Sequence, residues 1–331
     1  MAQSRSFVDE IRANKRSSVF IIFLVAVVWL ALGFSIGMAY GDYRLGILLA
    51  AGFTVLQLLV LSGGSQAVLA TVGAREASEE NYRQLHNVVE EVCIAAGIPK
   101  PKVYVMNSDM PNAFATGMKP ETAAVAVTTG LMRKLNRNEL QGVIAHEISH
   151  IRNYDIRVSV VLAVMVGSIV LLSGLFLRWG WFFAGGSGRS RSREGGGQLQ
   201  MIFLLVAIAL AILAPIFAVM MQFAVSRKRE YLADASAAEL TRYPEGLAGA
   251  LKKISSSPNL RTSRDEGRET KRARAKAMSH FYIVNPFKKK LSSSGMFDTH
   301  PPIDERVKRL EQMAHIYREP EVDESKTDKA V

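Results

Sequence analysis

The chain of 331 residues carries one cysteine, Cys93, so no intrachain disulfide is available and a disulfide-stapled secreted scaffold is excluded. Cys93 falls in the helical pattern SEENYRQLHNVVEEVCIAAG with no base near it in sequence, and reads as a small buried residue. Asp, Glu, Lys, Arg and His are missing from four stretches: Val19 to Tyr40, Leu45 to Leu61, Val158 to Leu177 and Leu199 to Val225. A transporter would place charged groups inside such stretches, and their absence counts against one. The net charge is +11, but the basic region between Lys252 and Lys290 lacks the interleaved aromatics of a nucleic-acid platform. It reads as a solvated or lipid-headgroup-facing loop, and no nucleic-acid partner is expected. No internal repeat is visible.

What is abundant is apolar sequence, 49% of the chain, unevenly spread and densest in those four runs. Val19 to Tyr40 holds 22 residues, enough at about 1.5 Å each to cross a hydrocarbon core of about 30 Å. It exceeds a signal-peptide core, no small-x-small cleavage site follows, and a second run begins almost at once, so it is expected to stay as an anchor. Leu45 to Leu61 follows after Gly41-Asp42-Tyr43-Arg44, making a hairpin. Arg5, Arg12, Lys15 and Arg16 place the N-terminus, and with it everything after Ser62, in the cytoplasm by the positive-inside rule. The third and fourth runs flank a Gly/Ser/Arg loop, GGSGRSRSREGGG. If both span, that loop lies on the opposite side with Arg178, Arg189, Arg191 and Arg193, against the same rule; the alternative is that these two helices enter the bilayer only in part.

Between the runs the pattern is that of an α+β, mostly helical unit. A helix is expected over Ala77 to Ala96, stopped by Gly97 and Pro99. Strands are expected at Lys102 to Met106, Ala113 to Thr116 and Ala123 to Thr128. Asn136 with Glu139 three residues on reads as a capped helix start, running through His150. Beyond the fourth run, helices are expected over Arg227 to Thr241, Pro244 to Ser255 and Ile303 to Tyr317. The division is therefore 1–62, a transmembrane hairpin; 63–157, the first half of a catalytic domain; 158–225, a second transmembrane pair; and 226–331, the second half.

His146-Glu147-Ile148-Ser149-His150 puts two imidazoles at i and i+4 on one helix face, where they can share a metal ion. Glu147 is rotated off that face, close enough to act on a metal-activated water without ligating. Peptide hydrolysis suits this arrangement. The run Gly142-Val143-Ile144-Ala145 makes the helix core-facing, which argues against two solvated histidines. A catalytic zinc site needs a third protein ligand. Glu230 is the candidate, with Asp234 four residues on able to accept a hydrogen bond from a ligating imidazole. The other reading of Glu230 is a surface carboxylate neutralising Arg227 and Arg229.

These segments, with Asn112-Ala113-Phe114-Ala115-Thr116, Val127-Thr128-Thr129-Gly130-Leu131, Arg152-Asn153-Tyr154-Asp155 after the HEISH helix, Ser226 to Asp234, and Thr299-His300-Pro301-Pro302-Ile303-Asp304-Glu305-Arg306, resemble the HtpX-like membrane zinc metalloproteases over nearly the whole chain. CAAX prenyl proteases and thermolysin-like enzymes are more distantly similar. The resemblance implies one Zn2+ per chain at His146, His150 and Glu230, base catalysis by Glu147, and Asp234 orienting His146. It also implies a heat-shock-linked role in degrading damaged membrane proteins. By the same resemblance Asn112, Ala113 and Phe114 begin an edge strand to which an extended substrate adds. His300 resembles a family histidine near the active site, from where it could donate to the developing oxyanion; its other reading is a rigid turn before the last helix. His86, His280 and His315 have no motif support.

The sequence thus reads as a thermolysin-like zinc protease domain facing the cytoplasm on a multi-pass anchor of four helices in the inner (plasma) membrane. Its partners would be the lipid bilayer and protein substrates, chiefly membrane proteins. The alternative is a membrane scaffold that keeps the metal but not the hydrolysis.

Overall fold

The computed structural model describes residues 7–39, 42–162, 227–256 and 301–317, together with residues 164, 205 and 209. The chain divides into two units, one of Met1–Ala67 and Arg157–Ala224 and the other of Val68–Ile156 and Val225–Val331.

In the first unit, helix α1 (Phe7–Ala39) packs along α2 (Tyr43–Ser62). Asp42 caps α2, its Oδ1 accepting from the Arg44 amide at 2.8 Å and the Leu45 amide at 3.4 Å, which satisfies donors that the first turn leaves open. The first two apolar runs fall on these helices, and they turn large apolar side chains outward: Phe20, Phe23, Leu48 and Leu59 are all more than 60% exposed. Among the described residues no single helix is long and apolar enough to cross a membrane; Tyr43–Leu59 with α3 (Gly64–Thr71), bent by 64°, passes only as a pair. Most of the third and fourth apolar runs, the Gly/Ser/Arg loop, His280 and His300 lie outside the described residues.

The second unit holds a four-stranded sheet, β1 (Arg75–Glu76), β2 (Lys102–Met106), β3 (Ala113–Thr116) and β4 (Ala124–Thr128), in the order β1-β2-β4-β3. β2 runs parallel to β4, and the outer strands pair antiparallel. The expected helix from Ala77 begins instead at Arg83, as α4 (Arg83–Ala96). The reason lies upstream: Arg75 and Glu76 pair with β2, and the Ala77 amide still donates to the Val103 carbonyl at 2.9 Å, so this backbone belongs to the sheet. Gly97, at φ 66, closes α4 in the left-handed conformation that favours glycine.

A short helix, α5 (Thr129–Lys134), leads into α6 (Arg137–Arg152), the central helix. Asn136 and Glu139 form the expected reciprocal cap, with side-chain to amide distances of 2.9 and 2.8 Å. Glu139 is itself buried and receives the Lys253 Nζ at 2.7 Å, so the start of α6 is tied to a later helix. Three helices from the second half complete the unit: α7 (Arg227–Thr241), α8 (Pro244–Ser255) and α9 (Ile303–Tyr317). Val143, Ile144, Ala145, Ile148 and Ile151 of α6 are fully buried with Val125 and Val127 of β4, Leu251 of α8 and Leu310 of α9. α8 approaches α6 so closely that a Cβ on Gly142 would stand 2.5 Å from the Leu247 amide nitrogen, so only glycine fits. His86 is buried with Nε2 3.0 Å from the Ala77 carbonyl, and His315 is exposed.

Candidate metal centre

Helical spacing stacks His146 and His150 on one face of α6, their Nε2 atoms 3.3 Å apart and their ring planes crossing at 88°. Glu230 projects from the first turn of α7. Its Oε2 lies 3.6 Å from His146 Nε2, and its Oε1 lies 3.6 Å from His150 Nε2. All three residues can offer ligand atoms within 4.8 Å of one another.

The backs of both rings face carboxylates. His146 Nδ1 is 3.0 Å from Asp234 Oδ1, and His150 Nδ1 is 2.9 Å from Asp155 Oδ2. A proton on each Nδ1 serves those carboxylates and leaves each Nε2 with its lone pair turned inward, towards the other Nε2 and the Glu230 oxygens. Lone pairs converging at 3.3 to 3.6 Å repel one another unless a proton or a metal cation sits among them. Ligands about 2.0–2.1 Å from a tetrahedral zinc stand about 3.3 Å apart, so two imidazoles and a carboxylate at these spacings fit zinc in donor type and separation. Asp155 faces the guanidinium of Arg229, and Glu230 and Asp234 face that of Arg306, at 2.7 to 3.7 Å.

Protons and a cation compete for the same nitrogens. Burial lowers the His146 pKa, but the hydrogen-bonding partners Asp234 and Glu230 outweigh it and bring the ring to about 9. Burial likewise opposes the charging of His150, and the Asp155 hydrogen bond reverses it to a net rise.

Glu147 is buried beside the cluster without joining it. Burial raises its pKa, opposed by the two histidines and by a hydrogen bond from the Ala115 amide of β3. β3 is the end strand of the sheet. Thr128 occupies the main chain of Asn112, its amide donating to the Asn112 carbonyl at 2.9 Å and its Oγ1 accepting the Asn112 amide at 2.9 Å. Antiparallel alternation from that pair turns the main chain of Phe114 and Thr116 towards β4 and that of Ala113 and Ala115 towards the open edge. The side chains of Asn112, Ala113 and Phe114 are buried.

Two residues quoted above only within motifs hold the cluster together. Arg306 of α9 is wholly buried, donates twice to Asp234, and brings Nη1 to 3.7 Å from Glu230 Oε2. Burial raises and the Arg306 charge lowers the Asp234 pKa; with the His146 hydrogen bond the net result is about 2. The signal in sequence was position: Ile303, Arg306, Val307 and Leu310 follow helical spacing, so an arginine sits on the buried stripe. Asp155 carried no such signal. It reaches back to His150 because Tyr154, at φ 61, takes a left-handed conformation after the end of α6.

Residues 79–314 match the family described as peptidase family M48. A "Protease HtpX homolog" of Listeria innocua serovar 6a is 48% identical over 312 residues, covering 92% of this chain and 99% of that protein. Another of that name, from Caldanaerobacter subterraneus subsp. tengcongensis, is 44% identical over 303 residues, covering 91% and 95%. The crystal structure of S. mikatae Ste24p is similar at 20% identity with a TM-score of 0.47, over 92% of this chain and 67% of that one.

Proposed function

The chain belongs to peptidase family M48, and we propose that it is a membrane-anchored zinc endopeptidase that hydrolyses peptide bonds of membrane proteins, damaged or misfolded ones among them. The observation that carries this reading is the convergence of His146 Nε2, His150 Nε2 and both Glu230 oxygens beside a buried carboxylate that stays out of the cluster. Those three residues would hold the metal, which supplies Lewis-acid polarisation of the scissile carbonyl and acidifies a water at neutral pH.

The remaining work falls to the chain itself. Glu147 takes the proton of the attacking water on a carboxylate oxygen and returns it to the leaving amine. Its raised pKa suits both halves of that transfer, and the Ala115 amide fixes its orientation. The outward main chain of Ala113, with the carbonyl of Ala115, offers an extended substrate the pairing of an added strand. Such pairing reads backbone rather than side chains, which fits broad specificity towards unfolded segments. Asp234 holds His146 in the tautomer whose Nε2 is free to ligate. His300 would donate to the developing oxyanion.

The organisation we propose is thermolysin-like, carried on four membrane helices with the catalytic unit in the cytoplasm and the lipid bilayer as constant partner. Support comes from the outward apolar side chains of α1 and α2 and from Arg12, Lys15 and Arg16 ahead of the first apolar run. The direct test is zinc content and casein hydrolysis of the purified full chain, before and after a chelator. Hydrolysis that survives complete removal of zinc would refute the reading; a protein that binds zinc and cleaves nothing would be the scaffold.

A further inference from the structure

The two imidazoles are backed differently. Behind His146 stand Asp234 and Arg306, all of them buried. Behind His150 stands Asp155, whose Oδ1 lies 3.6 Å from Arg229 Nη1; the His150 and Arg229 side chains keep 15% and 16% of their exposure. Arg229 directly precedes Glu230 on α7. The α7 segment therefore meets the end of α6 twice, through Glu230 facing both Nε2 atoms and through Arg229 facing the carboxylate behind His150. The first meeting brings together groups that one metal ion can bridge, and the second is between opposite charges.

We propose that Asp155 and Arg229 are a positioning pair, which orients His150 and seats Glu230 against the α6 histidines before the metal binds; this rests on the zinc reading above. Asp155 accepts the Nδ1 proton and so fixes the ring and the tautomer of His150. Arg229 anchors Asp155 from the far oxygen, and because it neighbours Glu230 on a helix, fixing the one restricts where the other points. Tyr154 contributes through its left-handed backbone, which returns Asp155 to the ring it follows.

The test uses the full chain in detergent, stripped of metal, with zinc titrated against a competing chelator and cobalt(II) as a spectroscopic probe. Arg229→Gln and Asp155→Asn are each expected to weaken zinc by ~10- to 100-fold and to change the visible bands of the cobalt protein. The double variant is expected to lose no more than the worse single, because the two act as one unit. Arg229→Lys, which keeps the charge, is expected to recover most of the affinity and guards against a glutamine variant that fails to fold. Parent-like zinc affinity in both singles, or losses that add in the double, would overturn the pair. A parent chain that binds no zinc would overturn the reading beneath it instead.

Discussion

Arg306 and Asp234 face each other in parallel, Nε to Oδ2 at 2.8 Å and Nη2 to Oδ1 at 2.7 Å, in a place where neither is open to water. Removing one charge strands the other. Arg306→Leu is expected to cost about 3–5 kcal/mol, more than a surface ion pair could account for. Arg306→Lys should recover little, since an ammonium cannot reproduce the two-pronged contact. Thermal unfolding of the metal-free chain measures both; a leucine variant as stable as the parent would show that the pair contributes no net stability.

Glu147→Gln is expected to keep zinc at parental stoichiometry and to lose hydrolysis by ~10²- to 10⁴-fold, the usual contribution of a proton-transferring side chain. Metal analysis and peptidase rate on the same preparation decide it. Loss of zinc would make Glu147 a ligand, and near-normal turnover would remove it from the mechanism.

Glu230→Ala is expected to release most of the metal, whereas Asp234→Asn should weaken it by ~10- to 100-fold through a poorly held His146. Asparagine is the better probe than alanine at 234, because alanine would also strand Arg306. Glu239→Ala, exposed on the same helix, serves as control. Zinc affinity unchanged in Glu230→Ala would place the third ligand elsewhere.

Burial of Cys93 pushes its thiol up from 9.0 to about 12. The folded state thus holds the proton more tightly than the unfolded chain does. Stability should be constant below about pH 9 and fall as pH rises from there towards 12, where the unfolded thiol ionises and the folded one does not. Cys93→Ala should lack this slope in unfolding measured against pH. At pH 8 a thiol reagent should label the parent only after denaturation.

Ser78 and Ser256 are exposed and belong to one compact unit, although the third and fourth apolar runs separate them in sequence. In a Cys93→Ser background, cysteines at positions 78 and 256 should react with an impermeant thiol reagent from the same side of the membrane. Labelling from opposite sides would require an odd number of crossings between them and refute the proposed topology.

Local chemistry explains what could be read in advance. The cap at Asn136 and Glu139, the stop at Gly97 and the i, i+4 spacing of His146 and His150 are decided by residues within a turn of one another, and each falls where the sequence pattern put it. The strand at Arg75 could not be read, because a two-residue strand exists only through its partner near Val105. Arg306 and Asp155 matter through side-chain contacts with Asp234 and His150, and a motif that contains a residue does not state what it touches. The motif around Arg306 was visible; its direction, inward onto Asp234, needed the fold.

Arg306 sits on the last described helix, beyond every other residue of the cluster. A ribosome builds chains from the N-terminus, so both histidines, Glu230 and Asp234 are made well before the cation that neutralises them. Until α9 emerges, Glu230 and Asp234 would share a site with no buried guanidinium, and α7 has less reason to settle on α6. The dependence of the cluster on Arg306 delays its assembly until α9 has been made.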